Sequence, residues 1–96
     1  MIQRITRSPI AVSDMLDIAE YFAEHNTPQA GERFLDTITA TEKALLDMPK
    51  MGVLRSYKST RLKDMRMIPV NDFKNYLLFY TLNPEHSIFC LLFLWR

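Results

Sequence analysis

Three cations, Arg61, Lys63 and Arg66, follow one another closely on a segment whose apolar neighbours read as a β-strand. Guanidinium and ammonium groups in such a row recognise phosphate or carboxylate without any reactive side chain. Strand side chains alternate between faces, so Arg61 and Lys63 share one face, and Arg66 takes the other unless a bulge intervenes. Tyr76 and Tyr80 add aromatic rings with polar tips on the strand that follows. Charge placed on an edge strand to discourage aggregation accounts for the same cations equally well on physical grounds.

Other chemistry finds little to work with. His25 and His86 have no acid, cysteine or histidine at ligand spacing, so neither a metal nor a cofactor is expected. Cys90 lies inside an apolar strand, where a thiol is inert unless a base activates it. No glycine-rich phosphate loop or nucleophile elbow occurs.

The elements that position these residues announce themselves at their ends. Ser8-Pro9 and Thr27-Pro28 are each a capping hydroxyl followed by proline at the first helical position. The stripe Val12, Met15, Leu16, Ala19, Phe22, Ala23 predicts a first helix ending at His25-Asn26. Ala30, Phe34, Ile38, Thr41, Leu45 and Met48 predict a second, stopped by Pro49. So tight a connection folds the two helices into an antiparallel hairpin. Residues 2–6 suit a short first strand, and residues 50–60 show no period and read as a loop. Leu62–Val70, Asn75–Leu82 and Ser87–Trp95 read as strands, joined by turns at Asn71–Lys74 and Asn83–His86. The expected fold is α+β, in the order β-α-α-β-β-β. A helical hairpin packs on one face of a small, curved antiparallel sheet, and residues 1–96 form a single domain.

Composition narrows the setting. The chain has 96 residues, is 48% hydrophobic and carries only two glycines, as a packed domain does. Its longest apolar run, Ile88–Trp95, is far short of the roughly 20 residues that cross a bilayer, so no membrane partner is expected. The lone cysteine fits a reducing compartment, and the cytoplasm is the expected location. Net charge is only +1, but residues 8–49 hold eight acids against two bases, and residues 50–74 hold seven bases against two acids. Such a split marks a surface for a charged partner, or else solvated faces that happen to segregate.

Five blocks in order carry a resemblance. Ser8-Pro9-x-Ala11 leads into Leu16-x-Ile18-x-x-Tyr21-Phe22-Ala23, with Asn26, Ala30 and Phe34 beyond. Leu46-x-x-Pro49-x-x-Gly52, Leu62-x-x-x-Arg66 and Tyr76-Leu77-Leu78-Phe79-Tyr80 follow. End to end, the chain resembles the ParE/RelE toxin superfamily of type II toxin–antitoxin modules. The resemblance implies the β-α-α-β-β-β fold and a cognate antitoxin, with a toxin–antitoxin hetero-oligomer as the resting form.

The superfamily joins two activities. RelE-like members cut messenger RNA on the ribosome, while ParE-like members block DNA gyrase. RelE-like proteins tend to place arginine after the first tyrosine of the Tyr-x-Leu-x-Tyr pattern, where this chain has Leu77, as ParE-like proteins do. Leucine cannot stabilise charge developing on phosphate. The C-terminus, Leu92-Phe93-Leu94-Trp95-Arg96, departs from the basic tail of many ParE-like members. The leading expectation is a non-enzymatic ParE-like gyrase inhibitor that uses Arg61, Lys63, Arg66, Trp95 and Arg96 to hold its target. A RelE-like ribosome-dependent nuclease, relying on Arg66 and Tyr80, is the alternative. A toxin relic that only binds antitoxin is the third reading.

Overall fold

Both helices begin where the hydroxyl–proline pairs place them. In this computed structural model, which describes residues 4–55, 65–82 and 87–95, α1 spans Pro9–His25 and α2 spans Pro28–Asp47. The Ala11 N–H donates to Ser8 Oγ at 2.9 Å, and the Ala30 N–H donates to Thr27 Oγ1 at 3.1 Å. Each cap satisfies one donor that a helix N-terminus otherwise leaves orphaned.

Five strands make one sheet: β1 (Arg4–Arg7), β2 (Val53–Arg55), β3 (Met65–Val70), β4 (Phe73–Leu82) and β5 (Ser87–Trp95). Their spatial order is β1-β5-β4-β3-β2. The helical hairpin and the three long strands are present, although β4 starts at Phe73, within the expected turn, and there are two further differences. Residues 53–55, expected in a loop, pair with β3 as an edge strand. The sheet is mixed, because β1 runs parallel to β5, with Arg4 opposite Ser87 and Arg7 opposite Cys90. Short turns fix the antiparallel sense only of strands they connect, and no turn joins β1 to β5. The turn at Asn83–His86 and residues 62–64 of the expected third strand lie outside the described residues.

Two irregularities shape the sheet. Val70 pairs with Phe73 across a two-residue turn, but Pro69 pairs with Leu77, so Lys74, Asn75 and Tyr76 form a bulge in β4. Proline offers no N–H to the ladder at this point. Asp72, in the turn, has φ 64°, a left-handed conformation that aspartate tolerates. In β5, Leu91 is the extra residue, since Phe79 pairs with Leu92 and Tyr80 with Cys90. That slip puts Cys90 and Phe93 on the same face, beside Tyr80 and Leu78.

The main core lies between this face and the helices. Phe34, Ile38 and Leu45 from α2 meet Ala11, Met15 and Ala19 from α1 over Val70, Leu78, Tyr80, Ile88 and Phe93. Phe22, Phe34, Phe73 and Tyr76 cluster at one end, with ring centroids 5.1 to 5.7 Å apart. The rotation of α1 differs from the expected stripe. Val12 and Leu16 are 40% and 53% exposed, while Ala11 is fully buried. Gly31 sets this rotation: a Cβ there would stand 2.6 Å from the Ala19 carbonyl and 3.3 Å from Ala23 Cβ. Small residues therefore line the helix–helix seam, and larger ones roll outward. Met48, the expected end of the second stripe, caps α2 and is 62% exposed. The opposite sheet face has its own small cluster, Met65, Leu77 and Phe79, with Met67 packed against it.

Candidate binding surface and its supports

Arg66 and Tyr80 face each other across the β3–β4 register. Both reach toward residues 49–52, which leave α2 and enter β2. Tyr80 Oη accepts the Gly52 N–H at 2.9 Å and donates to the Pro49 carbonyl at 2.8 Å. Arg66 Nη1 donates to the Gly52 carbonyl at 2.8 Å and to the Lys50 carbonyl at 3.1 Å. The Tyr80 side chain is fully buried, and that burial holds its phenol above the ordinary value. Gly52 is required here, because a Cβ would lie 2.5 Å from Tyr80 Oη. The pair thus fastens a loop to the sheet. A phenol with donor and acceptor both engaged, and without solvent, is poorly placed to pass protons to a substrate.

Of the other expected target-binding residues, Arg61, Lys63 and Arg96 lie outside the described residues. Trp95 ends β5 with its backbone opposite Tyr76. Beside the fastened loop the surface is apolar. Met48, Met51, Val53 and Leu54 are 62%, 41%, 60% and 46% exposed, with Lys50 exposed among them. Val53 and Leu54 belong to β2, the sheet's edge. Sequence reasoning missed this patch because a three-residue strand has too few positions to show a period.

A second polar cluster sits at the opposite edge. Arg7 in β1 donates from Nε and Nη2 to the two Glu42 carboxylate oxygens, at 2.8 and 2.5 Å. Glu42 is buried on α2, and its hydrogen bonds hold the Arg7 guanidinium above its usual value. The Cys90 thiol lies 3.7 Å from Glu42 Oε2. Burial, then the charge of Glu42, pushes this thiol up to about 12, so Cys90 is inert, as its apolar surroundings imply. Asp14 also has a structural task, accepting the Phe93 N–H at 3.1 Å just past the point where β1 stops covering β5. Two of the acids expected only to solvate the helices are therefore built into the fold. Arg7 and Glu42 are 35 residues apart, and no local pattern joins them.

The β4 bulge and the C-terminal half of α1 enclose an open groove of about 810 Å³. Phe22, Phe73 and Tyr76 form its aromatic side, and Asp17, Asp72 and Lys74 bring charge to it. Among the described residues, no group of three or more histidine, cysteine or acidic side chains is placed to hold a metal. No described helix is long and apolar enough to cross a membrane.

A family model described as the ParE toxin of the type II toxin–antitoxin system, parDE, matches residues 5–96. The fold is similar to a solved structure titled as the chromosomal ParDE TA system from P. aeruginosa, at a TM-score of 0.75. That likeness covers 96% of this chain and 94% of the other at 13% identity, so it speaks for the fold alone. By sequence, no curated protein is matched.

Proposed function

The chain belongs to the ParE toxin family of type II toxin–antitoxin systems, and we propose that it inhibits DNA gyrase by binding, without catalysis, until a cognate antitoxin neutralises it. The observation that carries this reading over the nuclease is the state of Arg66 and Tyr80. Both side chains are engaged with the backbone of residues 49–52, and Tyr80 has no solvent exposure. A ribonuclease needs one group to take a proton from the 2′-hydroxyl and another to protonate the leaving oxygen. The Tyr80 phenol, held above its ordinary value and hydrogen-bonded on both sides, suits neither task.

Binding makes different demands. Arg61, Lys63 and Arg96 supply charge to the target contact, and Trp95 supplies an aromatic anchor, a residue type common at interface hot spots. Arg66 contributes by holding Lys50 and the apolar edge beside it in place. The antitoxin is a segment with apolar residues that covers exposed grooves of the toxin, in a hetero-oligomer. Action on gyrase places the protein in the cytoplasm.

Purified protein added to gyrase supercoiling and cleavage reactions is the direct test. Inhibition with trapped cleaved DNA is expected, relieved by the antitoxin. Ribosome-dependent messenger RNA cleavage that disappears in Arg66→Ala would replace this reading with the nuclease. Inactivity in both, with no growth arrest on expression, would leave only antitoxin binding.

A further inference from the structure

We infer that the groove between α1 and the β4 bulge is a docking site for an arginine side chain carried by a partner protein. Its aromatic side is made by Phe22, Phe73 and Tyr76, which pack on one another and leave ring surface toward the groove. Asp17 and Tyr21, one helical turn apart on α1, form the facing side. Neither the Asp17 carboxylate nor the Tyr76 hydroxyl has a hydrogen-bond or ion-pair partner among the described residues, so both are available to a guest. An aromatic surface beside a free carboxylate and a free hydroxyl suits a planar cation with several donors, which is a guanidinium.

The molecule already uses this chemistry next door. Arg33 places its guanidinium carbon 5.5 Å from the Phe73 ring centroid and an Nη 4.0 Å from Asp72 Oδ2. One arginine thus spans an aromatic ring and a carboxylate at the rim, and Asp17 with Tyr76 repeats those two elements without an arginine of their own among the described residues. A purely apolar guest would leave Asp17 and the Tyr76 hydroxyl without partners as water is displaced. An anionic guest would meet Asp17, which no cation among the described residues offsets. Asp72 is already faced by Arg33, and Lys74 is the remaining cation in the anion's favour. Lys74 opposes a cation, which makes it a sensor of the guest's sign.

The test uses the full chain, 15N-labelled, titrated with the capped pentapeptide Ala-Ala-Arg-Ala-Ala and with versions carrying lysine, citrulline or leucine at the centre. The arginine peptide is expected to shift the backbone amides of residues 17–22 and 72–76. Citrulline, which keeps the shape and loses the charge, should bind about fivefold more weakly or worse. Asp17→Asn should weaken the arginine peptide about fivefold, and Lys74→Gln should tighten it. Asp17 and Lys74 are exposed and unpaired among the described residues, so neither change threatens folding, and circular dichroism verifies this. Equal binding of citrulline or leucine overturns the inference, as does weaker binding in Lys74→Gln. Free argininamide binding as tightly as the peptide overturns the protein partner in favour of a small cation. Absence of shifts at about 10 mM peptide overturns the site altogether. The readout is independent of gyrase, so its failure leaves the toxin reading untouched.

Discussion

Two strand arginines do opposite kinds of structural work toward opposite sides of one sheet, Arg7 on the edge strand β1 and Arg66 on β3, next to the edge strand β2. Arg7 neutralises a buried carboxylate on α2, in a fork that uses two of its nitrogens. Arg66 holds two backbone carbonyls of a surface loop and shares that task with Tyr80. The difference lies in what is left behind when each is lost. Without Arg7 a charge stays buried with nothing to balance it, whereas the partners of Arg66 can turn to water. One side therefore carries the stability of the fold, and the other carries the placement of a surface.

Four single variants, one double variant and a pH titration bear on that contrast. Arg7→Met should cost the most, about 3 kcal/mol in urea denaturation, and Arg7→Met with Glu42→Met should recover much of it. If the double variant is no better than the single, the charge left on Glu42 is not the source of the cost. Gly52→Ala comes next at about 2–3 kcal/mol, because its methyl would overlap Tyr80 Oη. Tyr80→Phe leaves the Gly52 N–H and the Pro49 carbonyl without their partner and should cost about 2 kcal/mol by thermal melting. Arg66→Ala should cost only about 1 kcal/mol, while altering amide shifts across residues 49–55. A cost as large as that of Arg7→Met would erase the distinction between the two sides.

The smallest effect is one of pH. The Cys90 thiol is raised to about 12 in the fold, from an ordinary 9.0. Its neutral form is therefore favoured by folding, a contribution fully present below pH 9 and lost as pH rises toward 12. Between pH 8 and 9.5 the loss stays below about 1 kcal/mol, and Cys90→Ala should remove that slope from the denaturation midpoints.

Much of this was readable in the residues, for reasons that differ by element. The helix starts were legible because a capping hydroxyl and a proline act within three residues of each other. Ser87–Trp95 was legible because a long apolar run directly after a turn signal admits few other structures. The rotation of α1 was not, since Ala11 and Val12 both fit a helical stripe and only the approach of Gly31 decides between them. Glu42 looked like one more solvating acid, because its partner lies on another element. Arg66 and Tyr80 share one alternative role in the sequence, but only the β3–β4 register shows that they stand opposite each other. Their engagement with residues 49–52 depended on a loop that no spacing rule describes.

The parallel pairing of β1 with β5 sets an order of events during synthesis. β1 is made first of the seven described elements and β5 last, yet each completes the other's ladder. While the ribosome is still delivering the chain, α1 and α2 can form their hairpin but have no finished sheet to cover. Arg7 likewise has Glu42 within reach before Ile88 and Cys90 arrive to enclose them. Completion of the sheet is thereby deferred until β5 has been delivered. For a member of the ParE toxin family, the whole toxin surface therefore exists only once β5 has paired with β1.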